Sequence, residues 1–237
     1  MNPIHAIILG AVQGLTEFLP VSSSGHLVLA GRLLGAPDAD LAFDAMLHLG
    51  TLFAVLFFFR RRVSALLVAV FRGRVKWRGG RLRFPNENTR LAWLLVAASL
   101  PAAAAGLLFE SEIERFFREP FWVGVFMVLT GVLLFLASIV PQGEAGVGGR
   151  SAAAIGVAQA CAILPGLSRS GATISAGIFT GVERTAAAEF SFLLSIPVIL
   201  GASGIKLLGA LSRGFAAHEA AALAAGVITA ALVGFGA

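Results

Sequence analysis

Residues 13–31, QGLTEFLPVSSSGHLVLAG, decide the fold, because residues 159–177, QACAILPGLSRSGATISAG, repeat their pattern. Each stretch has a Gln, a Leu-Pro pair, a Ser-x-Ser-Gly turn and a short apolar run that ends in Ala-Gly. The Gln, Ser-Gly and Ala-Gly elements recur at an offset of 146 residues (159 minus 13), and Leu-Pro recurs at 145 (164 minus 19). The chain therefore contains an internal duplication, and most of its candidate functional residues lie in the two copies.

The composition indicates a membrane protein. Of the 237 residues, 57% are hydrophobic and only 13% are charged, whereas soluble domains carry about 25% charged residues. The single Cys161 has no partner for an intrachain disulfide. The first ten residues lack the basic start of a secretory signal, so we expect no cleavable signal peptide.

Apolar stretches and loop charges predict the topology. Residues 42–59, 91–109 and 121–140 are predicted spans, and apolar stretches 186–208 (interrupted by Pro197) and 219–237 follow the second copy. Residues 60–90 carry ten Lys or Arg against Glu87 alone, which predicts a cytoplasmic loop rather than a nucleic-acid patch. Residues 35–41 and 110–120 are acidic, and we place both on the outer side.

The two copies are too short to cross the bilayer as pairs of helices. Residues 25–34 would form about 15 Å of helix, against a hydrocarbon core of about 30 Å. We therefore predict that each copy is a re-entrant hairpin with a polar tip. Three spans separate the copies, so the second hairpin would enter from the opposite face, and such inverted repeats form sites near the midplane.

The predicted fold is thus an all-α polytopic membrane protein with inverted-topology repeats. Each repeat would combine a re-entrant helical hairpin with transmembrane helices. Residues 1–237 form a single integral membrane domain, with repeat 1 at about 1–109 and repeat 2 at about 121–237.

The tips have the features of an anion site. Free N–H groups and the positive end of the helix dipole at a Ser-Gly turn favour phosphate, and Arg169 adds a cationic fork at the second tip. The alternative is that the small residues only allow close helix packing. An arginine inside the membrane is costly, which favours the functional interpretation.

Three residues of the first copy, Glu17, Ser23 and His26, could act in catalysis. Glu17 could ligate a metal, act as a base or pair with Arg169. His26 follows Ser23 at i+3, which would place an imidazole beside a hydroxyl nucleophile, unless it only bonds a carbonyl. Asp44 and His48, spaced i, i+4 on the first span, are weaker candidates, as is Glu189.

These residues leave two functions open. An anion site with a nucleophile and a base favours hydrolysis of a phosphorylated lipid. An anion site within inverted repeats also fits a transporter or flippase for an anionic or phosphorylated lipid.

The segments QGLTEFLPVSSSGH and PGLSRSGAT resemble the two signature segments of the undecaprenyl-diphosphate phosphatase family, also known for bacitracin resistance. The resemblance implies hydrolysis of undecaprenyl diphosphate to undecaprenyl phosphate, which recycles the carrier lipid for peptidoglycan and other envelope polymers. It also implies the bacterial plasma membrane, a pocket open to the outer (periplasmic) side and a divalent cation, Mg²⁺ or Ca²⁺. A homodimer is compatible with it.

The resemblance also assigns roles. Ser23 would be the nucleophile, His26 its activating or proton-shuttling partner, Glu17 the metal ligand or base, and Arg169 the diphosphate clamp, although metal-bound water could attack instead of Ser23. The family pattern further leads us to expect that a C-terminal hydrophobic helix is missing after Ala237. The other predicted substrate-binding residues are Gln13, Ser22, Ser24, Gly25, Gly166, Ser168, Ser170, Gly171 and Thr173.

Overall fold

The computed structural model describes residues 2–35, 41–78, 81–213 and 217–237. The predicted outer loop at 35–41 lies, apart from its two end residues, outside the described residues. Within the described ranges the chain forms eleven helices and a two-stranded hairpin. They are α1 Pro3–Glu17, α2 Ser23–Leu33, α3 Leu41–Phe58, α4 Arg60–Arg72, β1 Lys76–Arg78, β2 Arg81–Arg83, α5 Glu87–Leu108, α6 Glu110–Phe117, α7 Pro120–Ile139, α8 Gly149–Cys161, α9 Arg169–Phe179, α10 Arg184–Arg213 and α11 Ala217–Gly236.

The prediction of an all-α multi-pass membrane protein is confirmed. Helices α5, α7 and the Arg184–Gly209 part of α10 are long and apolar enough to cross a membrane. The described parts of α3 and α11, Phe43–Phe58 and Ala220–Gly236, are shorter apolar helices. Helix α10 continues through Pro197, where the sequence predicts an interruption.

The two copies form matching pairs of helices. Helices α1 and α8 begin 146 residues apart (149 minus 3), and so do α2 and α9 (169 minus 23). Helices α2 and α9 each have 11 residues, which is about 16 Å of helix and half of a hydrocarbon core. The length of the paired elements therefore fits the predicted hairpins.

Each hairpin packs against a long helix of the other half of the chain. Helix α1 packs most extensively on α11, and α8 packs most extensively on α5. Glycines make the first contact possible, because a Cβ on Gly14 would lie 2.8 Å from the backbone nitrogen of Gly234. Small residues at such interfaces allow the close approach on which helix association in lipid depends.

The outer ends of the two hairpins lie at opposite ends of α7. At the end of α2, Arg32 donates a hydrogen bond of 2.7 Å to the carbonyl of Arg118, just before α7 begins. At the start of α10, Arg184 donates a bond of 2.9 Å to the carbonyl of Val140, just after α7 ends. The tips of both hairpins contact the middle of α7, since Thr130 bonds the Gly166 carbonyl and a Cβ on Gly25 would lie 2.9 Å from Met127 Sδ.

The basic segment after α3 is folded, whereas its density of charge predicts a loop. Helix α4 buries Leu66 and Ala69, and its Arg62 pairs with Glu189 of α10 at 2.9 Å. Strands β1 and β2 then form an antiparallel hairpin. The density of charged residues hid the helical spacing of the apolar residues in this segment.

Candidate active site

The tips of both hairpins are built as the same serine cap. Ser22 accepts a hydrogen bond from the Gly25 N–H at 3.2 Å, and Ser168 accepts one from the Gly171 N–H at 3.1 Å. In each case the capping hydroxyl also lies 3.3 Å from that of the serine two residues later. Ser22 has a φ of 66°, a left-handed conformation that costs a non-glycine residue about 1–2 kcal/mol. Such strain is often found at functional sites.

The two tips meet directly. A Cβ on Gly25 would lie 3.1 Å from the Cα of Gly166, and a Cβ on Gly171 would lie 3.3 Å from the carbonyl oxygen of Pro20. Beside this contact is a cavity of about 160 Å³. It is lined by both hairpins, α3 and α6, through Glu17, Leu19, Ser22, Ser23, Ser24, His48, Phe117, Ala162, Ile163, Leu167, Ser168, Arg169 and Ser170.

The Glu17 carboxylate is the centre of the polar network in this cavity. The Ser23 hydroxyl donates to Oε2 at 2.6 Å, and Arg169 Nη2 donates to Oε1 at 2.5 Å. Gln13 Nε2 donates to Oε2 at 3.0 Å from the preceding turn of α1. The buried carboxylate thus has a cationic partner, which offsets the cost of removing its charge from water. Serine and arginine of different hairpins bond the same carboxylate.

Two polar atoms next to Glu17 have no partner among the described residues: Arg169 Nη1 and Gln13 Oε1. Both are buried, and a buried polar group without a hydrogen bond is unfavourable. The second nitrogen of the Arg169 fork can donate to an anionic oxygen, while the Gln13 amide oxygen can only accept or ligate a cation. A phosphate oxygen would supply the acceptor that Arg169 Nη1 lacks, whereas Gln13 Oε1 would need a hydrogen-bond donor or a cation.

The structure places His48, rather than His26, beside the carboxylate. His48 Nε2 lies 3.4 Å from Glu17 Oε2, and its Nδ1 bonds the Asp44 carbonyl at 2.8 Å. His26 Nδ1 instead bonds the Ser22 carbonyl at 2.8 Å, which is the simpler alternative raised by the sequence. Among the described hydrogen bonds, none joins His26 to the Ser23 hydroxyl. The i+3 spacing on the helix suggested a pair of Ser23 and His26, but the hairpin turn places Glu17 next to the Ser23 hydroxyl.

The remaining predicted residues divide into those that line the cavity and those that do not. Ser22, Ser24, Ser168 and Ser170 line the cavity, whereas Gly25, Gly166, Gly171 and Thr173 are not part of its lining. The Thr173 hydroxyl bonds the Arg169 carbonyl at 2.7 Å and lies 2.6 Å from that of Ser191. The glycines allow the tips to approach each other. Their direct binding of substrate stays a prediction.

Sequence reasoning missed Thr130 of α7, which anchors the second tip. Its hydroxyl donates to the Gly166 carbonyl at 2.9 Å and accepts from the Ser168 N–H at 2.9 Å. Thr130 is an isolated polar residue in an apolar span, and nothing in its spacing connects it with a tip 36 residues later. It fixes the position of the cap and so of Arg169.

The chain is similar to known proteins over nearly its whole length. The model of the family described as Bacitracin resistance protein BacA matches residues 6–237. The undecaprenyl-diphosphatase of Desulfosudis oleivorans is 47% identical over 245 residues, which cover 100% of this chain and 88% of the relative. Those of Pelobacter propionicus and Rubrobacter xylanophilus are 44% and 46% identical, covering 99% and 98% of this chain and 86% of each relative. The chain belongs to the bacitracin resistance protein BacA family.

Proposed function

We propose that the chain hydrolyses undecaprenyl diphosphate to undecaprenyl phosphate and inorganic phosphate. The observation that carries the proposal is the shared carboxylate: Ser23 and Arg169, from different hairpins, both bond Glu17 at the cavity. Relatives that are 44% and 47% identical over nearly the whole chain are named undecaprenyl-diphosphatase. This favours the enzyme over the transporter or flippase that the repeat alone allows.

Ser23 is the proposed nucleophile and Glu17 its base. The hydroxyl proton already points at Glu17 Oε2 over 2.6 Å, within the range of a charge-assisted hydrogen bond. As Ser23 Oγ forms a bond to the terminal phosphorus, the bond from that phosphorus to the bridging oxygen breaks and undecaprenyl phosphate leaves. A water molecule then hydrolyses the phosphoserine, releasing inorganic phosphate. The alternative is direct attack by water, with Glu17 as base.

Arg169 is proposed to bind the diphosphate. Its Nη2 holds Glu17, and its unpartnered Nη1 is available for a phosphate oxygen. The hydroxyls of Ser22, Ser24 and Ser168 line the same cavity and can donate further bonds. A fixed guanidinium next to the reacting phosphorus stabilises charge that develops on the equatorial oxygens in the transition state.

His48 is proposed to hold Glu17 in position. Because a carbonyl oxygen only accepts, the bond from His48 to the Asp44 carbonyl fixes the proton on Nδ1 and orients the ring. Nε2 faces Glu17 Oε2 at 3.4 Å and donates to it in the imidazolium form, in which both ring nitrogens carry a proton. Gln13 and His48 together prevent the carboxylate from turning away from Ser23. The role of His26 as a proton shuttle stays a prediction.

The residues fit the divalent cation that the family implies, provided that the substrate supplies most of its ligands. The described residues contain no group of three or more His, Cys, Asp or Glu side chains suited to a metal. Glu17 and the unpartnered Gln13 Oε1 are oxygen ligands, the type that Mg²⁺ and Ca²⁺ prefer. Mg²⁺ commonly binds one or two carboxylates plus substrate phosphates. When bound, the cation would neutralise phosphate charge.

The proposed location is the bacterial plasma membrane, with the cavity open to the outer side. The acidic segment 110–120 is predicted to lie outside, and Phe117 from this segment lines the cavity. The hairpins would enter from opposite leaflets, which fits the location of their ends at opposite ends of α7. The undecaprenyl chain would lie along the lipid-facing surface. Dimerisation stays a prediction.

Phosphate release in detergent micelles tests the proposal, because a micelle has no second leaflet and transport cannot contribute. The purified chain with a polyprenyl diphosphate and Mg²⁺ should release inorganic phosphate. Ser23→Ala should reduce the rate by about 10³-fold or more. Ser99→Ala is the matched control, since Ser99 only bonds the Leu95 carbonyl within α5. Full turnover by Ser23→Ala would refute Ser23 as the nucleophile, and no release by the wild type would refute the hydrolase.

A further inference from the structure

A second, larger cavity lies beside the basic segment. It has a volume of about 700 Å³ and is formed by α4, the start of the β-hairpin and the start of α5. That volume is within the range of roughly 300–1,000 Å³ typical of small-molecule sites. Its lining combines an apolar floor on α4 with cations and amides: Ser64, Ala65, Val68, Ala69, Arg72, Gly73, Arg74, Lys76, Pro85, Asn86 and Asn88. None of these residues lines the catalytic cavity.

The three cations of this cavity are Arg72, Arg74 and Lys76, and none of them forms an ion pair with an acid in the described part of the chain. The acid nearest to them in sequence, Glu87, is paired with Arg90 at 3.1 Å. Three uncompensated cations that converge on one cavity favour an anionic ligand. Arginine donors in particular suit phosphate oxygens.

The surroundings of the cavity are those of a helix lying at a membrane surface. Phe71 on α4 and Trp77 on β1 are 85% and 72% exposed, next to the cations. Helix α4 has arginines at its start and one buried apolar stripe, and Val68 on the cavity floor is 51% exposed. Aromatic residues and cations side by side mark the interface between headgroups and acyl chains.

We propose that this cavity binds the headgroup of an anionic membrane phospholipid. Arg72, Arg74 and Lys76 contact the phosphodiester, and the floor of Ala65, Val68 and Ala69 contacts the start of the acyl chains. The apolar floor favours a lipid over free phosphate, which would use only the cations. By the positive-inside rule the lipid belongs to the cytoplasmic leaflet. The proposal is independent of the catalytic site.

Lipid retention tests this site. The full-length protein is purified from mixed bilayers of phosphatidylglycerol and phosphatidylcholine, and bound lipid is counted by native mass spectrometry. The wild type should retain phosphatidylglycerol in preference, and the triple variant Arg72→Gln, Arg74→Gln, Lys76→Gln should retain about tenfold less or lower still. The matched control removes three exposed charges elsewhere: Arg115→Gln, Arg118→Gln and Arg150→Gln. It should retain lipid like the wild type.

Two results would overturn the proposal. The first is retention of phosphatidylglycerol by the triple variant at the level of the wild type. The second is displacement of the lipid by inorganic phosphate in moderate excess, because the cavity would then bind phosphate rather than a lipid. The three single variants remove one charge at a time and should each show part of the loss. Phosphate release should be unchanged in all of them, which verifies that they are folded.

Discussion

The two hairpins have the same backbone arrangement but different side chains at equivalent positions. At the offset of 146 residues, the serine hydroxyl of Ser23 corresponds to the guanidinium of Arg169, and the carboxylate of Glu17 corresponds to the apolar Ile163. Both tips retain the serine cap and the close glycine. The first hairpin therefore supplies the nucleophile and base, and the second supplies the cation. Duplication built the cavity, and divergence of a few side chains made it asymmetric.

Removal of the carboxylate charge from the first hairpin should have the largest effect on phosphate release. Glu17→Gln keeps the shape of the side chain but removes the base. We expect initial phosphate release to fall by about 10³-fold. Glu183→Gln is the control, since Glu183 only caps the start of α10 through its bonds to Thr185 and Ala186. A Glu17→Gln protein within about tenfold of the wild type would show that Glu17 is not the base.

Replacing the cation of the second hairpin should have the next largest effect. Arg169→Lys keeps the charge but loses the fork that holds Glu17 through one nitrogen and offers the other to phosphate. We expect kcat/KM for the diphosphate to fall by about 10²-fold. Arg118→Lys, at the exposed end of the α6 region, should leave it unchanged. Equal kcat/KM values for Arg169→Lys and the wild type would show that the guanidinium does not need to contact Glu17 and phosphate at once.

Making the hairpins more alike should weaken the enzyme. Ile163→Glu places a second carboxylate in the cavity, at the position equivalent to Glu17. The added negative charge repels the diphosphate and competes for Arg169, so we expect KM to rise by about tenfold, or ~1.4 kcal/mol. Ile163→Gln, which adds similar bulk without charge, is the control. A lower KM for the glutamate variant would contradict the proposed asymmetry.

The smallest expected difference concerns the two equivalent glutamines. Gln13 bonds Glu17 and Thr51, whereas neither polar atom of the buried Gln159 side chain has a hydrogen-bond partner among the described residues. Gln13→Met should lower the free energy of unfolding by about 1–3 kcal/mol. Gln159→Met should be neutral or stabilising. Thermal unfolding in one detergent compares them, and equal losses would mean that Gln159 stabilises the fold as much as Gln13 does.

Composition allowed the sequence to predict the membrane class, and the duplication allowed it to predict the two helical pairs and the residues at the tips. Their spacing is local, and the helix ends are set by the Ser-Gly caps that the sequence displays. The assignment of contacts between elements was harder. His48 lies on α3, spaced i, i+4 from Asp44, and it was only a weaker candidate because the packing of α3 against α1, which brings it to Glu17, is not visible in the sequence.

Long-range anchors and the basic segment were not predictable for a different reason. Thr130 acts on a tip far along the chain, and a single threonine in an apolar span has no pattern of its own. In α4, three consecutive arginines at the start conceal the apolar stripe that buries Leu66 and Ala69. The role of Thr130 and the burial of α4 both depend on tertiary contacts, whereas periodicity in a sequence indicates only which face of a helix is apolar.

The central claim is that Ser23 and Arg169, from different hairpins, act on one phosphate. A double-mutant cycle on phosphate release with Ser23→Ala and Arg169→Lys tests it most directly. The account predicts strong coupling, with the double variant about as slow as Ser23→Ala alone, because the removed groups act as a unit. Losses that multiply in full would contradict it, since the two residues would then act at separate places.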